Sequence, residues 1–161
     1  MTARVGIGVD VHPFAAPGEA RTLILGGVTF PREPGLAGHS DADVVAHAVS
    51  DAMLGAAGLG DIGMHFPDTD ERWRGADSLA LLAEVAGRVR AAGYRFVNAD
   101  CTVIAERPGI AVAREEMITK LSAAAGGPVH VKATRPEGLG ALGRVEGIAC
   151  WAVASLEEIG L

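Results

Sequence analysis

Strand-like and helix-like segments do not alternate one by one along this chain. Two strand-like segments come first, two helical segments follow, and the two kinds are mixed in the second half. Strict alternation would predict a parallel sheet covered on both faces. The actual order predicts a two-layer α/β sandwich, in which a mixed β-sheet packs against helices on one side. The strands are expected at 4–12, 21–30, 94–106, 129–134 and 147–156, and the helices at 41–57, 78–92 and 110–125.

Small apolar residues dominate the composition. Hydrophobic residues make up 49% of the 161 residues but aromatic residues only 4%, so the core must consist mainly of Ala, Val, Leu and Ile. The 22 glycines indicate many positions that need a special backbone conformation. The chain has the length of one domain and contains neither an internal repeat nor a linker. We therefore expect residues 1–161 to form a single domain.

The charge and the cysteines restrict the class of protein. The net charge of −6 argues against a general nucleic-acid-binding protein. An acidic protein that binds phosphates must concentrate positive charge locally or use metal ions. Cys101 and Cys150 lie in apolar, strand-like sequence, so free buried thiols are expected rather than a disulfide. The sequence starts without a signal-peptide pattern and contains no apolar run of about 18 residues, so we expect no membrane span and a cytoplasmic location.

Three residues have the spacing and the chemistry of a metal site. Asp10 and His12 are two residues apart on the first predicted strand, so their side chains point to the same face. His47 lies on the following helix, in a polar stripe with Asp43 and Asp51. Two histidines and one carboxylate suit Zn²⁺ with an open fourth position, although non-haem iron uses the same ligand types. Asp43 or Asp51 would then accept a hydrogen bond from a ligand histidine.

Two polar segments lie beside these residues in the sequence. His39 and Ser40 come directly before the helix expected at 41–57, where a helix N-terminus can bind a phosphate. Ser40 is also the expected N-cap of that helix. Residues 61–76 form a long polar connection, and connections of this length are often functional. Its acidic residues can face solvent or accept hydrogen bonds from a polyol, and both interpretations stay open at this point.

A cationic segment precedes the last predicted strand. It contains Lys132, Thr134, Arg135 and Glu137, and a glycine-rich loop leads from there to Arg144. Cations, a hydroxyl and a carboxylate suit phosphates bridged by a divalent ion, for which Glu137 would supply an oxygen ligand. The segment lacks the GxxxxGK[ST] order of a Walker P-loop. It therefore predicts a phosphate-binding region of a different kind.

Three segments carry a family resemblance. They are GVDVHPF (8–14), GHSDADVVAHAVSDAMLGAAGLGDIGMHFPDTD (38–70) and VKATRPEGLGALGRVEGIA (131–149). The match covers nearly the whole chain in order, and the second segment is long and specific. In these segments the chain resembles the 2-C-methyl-D-erythritol 2,4-cyclodiphosphate synthase family of the non-mevalonate isoprenoid pathway.

The resemblance implies an assembly and a reaction. The assembly is a homotrimer of α/β subunits with the sheets facing inward and with active sites between neighbours. The substrate is 4-diphosphocytidyl-2-C-methyl-D-erythritol 2-phosphate, whose 2-phosphate attacks the β-phosphate to give 2-C-methyl-D-erythritol 2,4-cyclodiphosphate and CMP. Because the substrate supplies its own nucleophile, the enzyme positions phosphates and neutralises charge. A zinc-dependent phosphohydrolase and a non-catalytic trimeric binding protein are the alternatives.

The resemblance also implies roles for individual residues. The implied metal ligands are Asp10, His12 and His47 for Zn²⁺, and Glu137 for a second ion, Mg²⁺ or Mn²⁺, that bridges the diphosphate. The substrate-binding candidates are Asp10, His12, His39 and Ser40 near the zinc; Asp61, Ile62, Gly63, Phe66, Pro67, Asp68, Thr69 and Asp70 around the methylerythritol; Ala105, Pro108, Gly109, Ile110 and Ala111 around the cytidine; and Thr134, Arg135, Pro136, Glu137, Ala141 and Arg144 at the diphosphate.

The chain departs from the family pattern at several positions. Thr134-Arg135-Pro136-Glu137 stands where the family has Thr-Thr-Thr-Glu, so Arg135 replaces a threonine of the transition-state contact. We hypothesise that Arg135 binds the β-phosphate or the leaving group, since a guanidinium can bind a phosphate through two hydrogen bonds. Arg135 is therefore one catalytic candidate. His39, which matches a phosphate contact of the family, is the other. Ala42 and Val145 replace glycines of the family pattern.

Overall fold

The computed structural model describes residues 2–160, in which helices cover one side of a four-stranded sheet. The strands are β1 (Ala3–Pro13), β2 (Thr22–Leu25), β3 (Val28–Pro34), β4 (Tyr94–Ile104), β5 (Val129–Thr134) and β6 (Gly147–Glu158). The helices are α1 (Val44–Ala57), α2 (Ile62–His65), α3 (Ser78–Ala91), α4 (Arg114–Ala125) and α5 (Gly140–Gly143), and Glu71–Trp73 form a 3₁₀ helix.

The main sheet is mixed, with the strand order β1-β6-β4-β5. β6 pairs antiparallel with β1 and with β4, whereas β4 and β5 are parallel and are connected through α4. α1 packs against β1, β6 and β4, and α3 packs against α1 and α4. This arrangement confirms the mixed sheet with helices on one side that the order of segments predicted.

α1 approaches β1 closely because glycines and alanines meet at the contact. A Cβ atom built on Gly8 would lie 1.9 Å from the carbonyl oxygen of Ala48, and one built on Gly6 would lie 2.2 Å from that of Ala52. Both distances are far inside van der Waals contact, so these two positions accommodate only glycine. The close packing brings His47 of α1 next to the side chains that β1 directs towards the helices.

The segment predicted as one strand at 21–30 is a hairpin of two strands. Gly26 and Gly27 have φ values of 57° and 74° and form a two-residue turn between Leu25 and Val28. Positive φ at both central residues is the conformation of the tight turns that join antiparallel strands. The two glycines therefore reverse the chain, where a bend within one strand was expected.

α1 begins later than predicted because a tertiary contact selects its N-cap. Asp43, and not Ser40, caps the helix, which begins at Val44 instead of residue 41. The fully buried Asp43 carboxylate accepts the N–H groups of Gly26 (2.9 Å) and Gly27 (2.7 Å) as well as two N–H groups of α1. One carboxylate thus joins the β2–β3 turn to the start of the helix.

Three other segments also differ from the sequence prediction. Residues 110–113 form a turn, so α4 begins at Arg114. β4 ends at Ile104, and a bulge between Phe96 and Asn98 interrupts the alternation that was predicted for this strand. The polar connection at 61–76 contains α2 and the 3₁₀ helix rather than an irregular loop.

Among residues 2–160, three non-glycine residues, Ala42, Glu137 and Val145, adopt the left-handed backbone conformation that favours glycine. Ala42 has a φ of 58° and Val145 a φ of 62°. These are the two positions at which the chain lacks glycines of the family pattern. The backbone conformation is therefore kept although the side chains disfavour it, most strongly for β-branched Val145.

The state of the cysteines agrees with the sequence analysis. Cys101 and Cys150 are free and buried, as predicted. Within residues 2–160, every helix falls short of the length or the apolar character that a bilayer crossing requires.

Candidate metal centre and substrate cavities

Asp10, His12 and His47 meet at one point between β1 and α1. Asp10 Oδ2 lies 3.1 Å from His12 Nε2 and 3.0 Å from His47 Nδ1. One potential ligand atom from each of the three residues lies within 4.8 Å of the other two. The alternation of β1 and the helical position of His47 therefore produce the convergence that the sequence predicted.

The spacing of these atoms fits a metal ion. Ligands at about 2.1 Å from a tetrahedral Zn²⁺ are about 3.4 Å apart, close to the distances between Asp10 and the two histidines. His12 Nδ1 lies 2.7 Å from the carbonyl oxygen of Ala37, which can only accept, so Nδ1 carries a proton and Nε2 is the ligand atom. Within residues 2–160, this is the one such group of potential ligands.

Asp10 and His12 shift each other's pKa values. Burial acts to raise the pKa of Asp10, but hydrogen bonds and charge interactions with His12 and His47 outweigh it and hold that pKa well below the ordinary value of a carboxyl group. Burial acts to lower the pKa of His12, but the adjacent Asp10 carboxylate raises it above the ordinary value for histidine. Because a ligand imidazole must be deprotonated, metal and proton compete for His12.

The three residues open into a cavity of about 310 Å³. Of the predicted site residues, those in its lining are Asp10, His12, His39, Ser40, His47, Ile62, Phe66 and Asp68. Trp73 lines the same cavity and packs edge-on against Phe66, with ring centroids 5.0 Å apart. The structure therefore joins the metal ligands to the 61–70 loop, as expected.

His39 and Ser40 have different environments. His39 lines the cavity, and its Nε2 lies 3.1 Å from the carbonyl oxygen of Asp70. Ser40 is only 7% exposed, and its hydroxyl contacts His47 Nε2 at 3.1 Å instead of capping α1. The prediction of Ser40 as the N-cap was therefore wrong.

The other residues of the 61–70 loop lie outside the cavity lining. Asp61 caps α2 by accepting the N–H of Met64, and Gly63 belongs to that helix. Asp70 forms an exposed ion pair with Arg72. The remaining two, Pro67 and Thr69, are in the connection between α2 and the 3₁₀ helix.

A second cavity, of about 160 Å³, contains most of the predicted cytidine region. Its lining residues are Ala105, Glu106, Pro108, Gly109, Ala133, Thr134 and Arg135. Ile110 is a buried core residue and Ala111 is exposed beside this region. Within the described part of the chain, the two cavities have no lining residue in common. One subunit therefore presents the two predicted ends of the site separately.

The predicted diphosphate residues are mostly exposed, and two cations of this region form ion pairs with carboxylates. Glu137 is exposed after β5, and Arg144 forms an ion pair of 2.6 Å with Glu146. Pro136 and Ala141 lie in the same stretch, the latter on the short helix α5. Lys132 forms an exposed ion pair with Asp100 on the neighbouring strand of the sheet, and its grouping with the phosphate-binding residues stays a prediction.

The hydrogen-bond partner of His47 differs from the prediction. The Asp43 carboxylate binds backbone N–H groups, and that of Asp51 accepts the N–H of Ile62 at 2.7 Å, so among residues 2–160 neither carboxylate is hydrogen-bonded to the ring of His12 or His47. The Ser78 hydroxyl lies 2.9 Å from His47 Nε2 and also contacts Asp41. Sequence reasoning missed Ser78 because it follows His47 by 31 residues, on another helix, and resembles an ordinary helix start.

Similar proteins identify the family. The sequence model of the YgbB family matches residues 3–157. A 2-C-methyl-D-erythritol 2,4-cyclodiphosphate synthase from Rubrobacter xylanophilus is 59% identical over 158 residues, which cover 96% of this chain and 95% of that protein. A bifunctional enzyme IspD/IspF from Anaeromyxobacter is 57% identical over 96% of this chain, but the chain spans only 40% of that longer protein.

A solved structure extends the similarity to three dimensions. IspF from Plasmodium falciparum, determined as a CDP complex, matches with a TM-score of 0.84 and 31% identity over 98% of this chain and 97% of that one. These similarities confirm the family resemblance inferred from residues 8–14, 38–70 and 131–149. The chain therefore belongs to the YgbB family, together with the 2-C-methyl-D-erythritol 2,4-cyclodiphosphate synthases that it resembles.

Proposed function

We propose that this protein is a 2-C-methyl-D-erythritol 2,4-cyclodiphosphate synthase, a lyase of isoprenoid biosynthesis. The observation that carries the proposal is the meeting of Asp10, His12 and His47 at a cavity that the 61–70 loop also lines. Relatives of that name are 53–59% identical over nearly the whole chain. The substrate would be 4-diphosphocytidyl-2-C-methyl-D-erythritol 2-phosphate, and the products the cyclodiphosphate and CMP.

The metal of the proposal is Zn²⁺, held by Asp10 and the two histidines. Two imidazoles and one carboxylate suit zinc and leave one position for a substrate oxygen. Bound there, the ion would supply positive charge that orients and neutralises a substrate phosphate. A second ion, Mg²⁺ or Mn²⁺, would bridge the diphosphate, with the exposed Glu137 carboxylate as its protein ligand.

The chemistry needs no protein nucleophile. An oxygen of the 2-phosphate attacks the β-phosphorus, the bond from that phosphorus to the oxygen bridging the α-phosphate breaks, and CMP leaves with that oxygen and its electron pair. His39 would contact a phosphate through Nδ1, because the Asp70 carbonyl holds Nε2. The protein would thus act by aligning the reacting phosphates.

The cytidine end of the proposal uses the second cavity. Ala105, Pro108 and Gly109 line it beside Thr134 and Arg135. The CDP complex of the Plasmodium falciparum protein supports a cytidine nucleotide as the ligand. Exposed Arg135 would bind the β-phosphate or the departing CMP, and unchanged turnover by Arg135→Ala would rule out that role.

A homotrimer would bring the two cavities together from neighbouring subunits. The exposed face of the main sheet supports this assembly, because large apolar side chains cover it. They are Val5, Ile7, Val9 and Val11 on β1, 43–68% exposed, and Trp151 and Val153 on β6, 39% and 46% exposed. A contiguous apolar face of this kind is typical of a protein–protein interface, so the sheets would face inward.

Metal content and CMP release, measured on one preparation, test the proposed function. The wild-type protein should bind about one Zn²⁺ per chain through its three ligands and should release CMP from the substrate. His47→Ala should bind zinc much more weakly and should fail to release CMP, because it removes one ligand. Bound zinc without CMP formation would contradict the synthase assignment. A single domain at 1–161 and a cytoplasmic location stay predictions from the sequence.

A further inference from the structure

His47 presents its two ring nitrogens to different partners. Nδ1 lies 3.0 Å from Asp10 Oδ2, on the side of the candidate metal ligands. Nε2 lies 2.9 Å from the Ser78 hydroxyl oxygen and 3.1 Å from that of Ser40. Because the Asp10 carboxylate only accepts hydrogen bonds, Nδ1 can donate to it in the absence of a metal and would give up that proton to bind one.

Ser78 is held by Asp41 in a way that fixes the direction of its hydroxyl. It is fully buried at the start of α3, and its backbone N–H donates to Asp41 Oδ2 at 3.0 Å. Its hydroxyl contacts Oδ1 of the same carboxylate. Because an ionised carboxylate only accepts hydrogen bonds, the Ser78 hydroxyl must donate its one proton to Asp41. Its oxygen can then only accept a hydrogen bond from His47.

The second serine is compatible with the same arrangement. The Ser40 hydroxyl oxygen accepts the N–H of Ala42 at 3.2 Å. The Ser40 hydroxyl can in turn donate its own proton to the Ser78 oxygen, which lies 3.4 Å away. Ser40 therefore need not donate to His47. Of the two serines, Ser78 alone has a carboxylate partner that dictates its direction, among the hydrogen bonds of residues 2–160.

We propose that Asp41 and Ser78 are positioning residues that orient the His47 ring, because Ser78 accepts its Nε2–H and so directs Nδ1 at Asp10 and the candidate metal site. The hydrogen bonds run from His47 Nε2–H to Ser78 and from the Ser78 hydroxyl to Asp41. A ligand whose ring orientation is fixed in advance binds a metal more tightly. The inference rests on the metal site of the proposed function, but not on the substrate or the reaction.

The ring nitrogens of His47 provide the most direct readout. Long-range ¹H–¹⁵N NMR of zinc-loaded, histidine-labelled protein shows which nitrogen carries the proton and how fast that proton exchanges with water. The wild-type ring should carry a slowly exchanging proton on Nε2, and the exchange should become faster in Ser78→Ala. A wild-type proton on Nδ1 would overturn the proposal, even where the serine variant fails to fold.

Metal affinity provides the second readout. Ser78→Ala and Asp41→Asn should each weaken Zn²⁺ binding by about 10- to 100-fold, measured by competition with a chromophoric chelator. Asp77→Ala is the matched control, because exposed Asp77 caps the same helix through the N–H of Leu79 at 2.9 Å. That variant should lower the stability of α3 while the zinc affinity stays at the wild-type value.

The combined outcomes separate positioning from a general effect on the fold. In a His47→Ala background, Ser78→Ala should cause no further loss of zinc affinity, because the residues act through one interaction. Wild-type zinc affinity and a slowly exchanging Nε2 proton in Ser78→Ala would overturn the proposal. An equal loss in Asp77→Ala would also overturn it, since the effect would then come from the start of α3. A missing CMP-forming activity would leave both readouts unaffected, so the two failures are distinguishable.

Discussion

Asp10 connects the two histidines of the candidate metal centre, because one oxygen of its carboxylate contacts both rings. The same contacts hold its pKa low, so the carboxylate is ionised before any metal binds. The neighbouring His12 responds in the opposite direction, with a raised pKa. In the metal-free protein Asp10 therefore stabilises a proton on His12, and a bound ion would replace that proton.

Val145 provides a test of backbone strain at the residue scale. Val145→Gly should raise the free energy of unfolding by about 1 kcal/mol, because strain of about 1–3 kcal/mol at positive φ exceeds the entropic cost of a glycine of up to about 1 kcal/mol. Urea unfolding measures the difference. Ala42→Gly should gain less, since the Ala42 methyl group is fully buried. A Val145→Gly protein less stable than the wild type would show that side-chain contacts outweigh the strain.

Sequence reasoning identified the three candidate metal ligands but not Ser78, whose hydroxyl contacts His47. The ligands follow from local rules, because i and i+2 share a face of a strand and the polar stripe marks one side of a helix. Asp41, Asp43 and Asp51 are all acidic neighbours of His47, and no local rule ranks them. The structure separates them, since Ser78, from a distant helix, connects Asp41 to the ring.

At the scale of elements, the contact between β1 and α1 determines the geometry of the site. Gly8→Ala should destabilise the protein by at least about 3 kcal/mol, because the new methyl group would overlap the backbone of α1. Thermal unfolding measures the loss. Gly87→Ala is the control on the exposed side of α3, where none of the described atoms would lie within 4 Å of the new Cβ. That variant should gain up to about 1 kcal/mol, and similar stabilities for the two variants would contradict this account of the packing.

The element boundaries show what the sequence pattern could and could not specify. Hydrophobic periodicity located every strand of the main sheet and the three longer helices. It could not locate the start of α1, because Ser40, Asp41 and Asp43 are all good N-cap residues. The choice depends on the Gly26-Gly27 turn, which donates to Asp43 from a hairpin that was itself expected to be one strand.

At the scale of the whole molecule, the apolar face of the sheet tests the proposed trimer. Sedimentation velocity should show a trimer for the wild type. Ile7→Glu should dissociate it into monomers, because a charge would be buried in the interface. Ala83→Glu, at an exposed position on α3, is the matched control and should stay trimeric. A monomeric wild-type protein, or a trimeric Ile7→Glu, would contradict a trimer formed through this face.

The two cavities show which part of the proposed active site the sequence pattern could not specify. Family resemblance grouped Asp10 and Arg135 in one site, but the described chain places them in different cavities. Local sequence patterns contain no information on whether or where copies of a chain meet. The exposed apolar side chains of β1 support such a contact in the proposed trimer, and their common face is apparent only in the assembled sheet.

The incorporation of oxygen from water into the products tests most directly whether the protein is a cyclising synthase. The reaction is run in H₂¹⁸O with the zinc-loaded wild-type protein, and mass spectrometry measures the label in the products. Intramolecular attack by the 2-phosphate predicts unlabelled CMP and unlabelled 2-C-methyl-D-erythritol 2,4-cyclodiphosphate, because water takes no part in the step. Label in CMP, or a labelled linear diphosphate in place of the cyclic product, would show attack by water and contradict the synthase assignment.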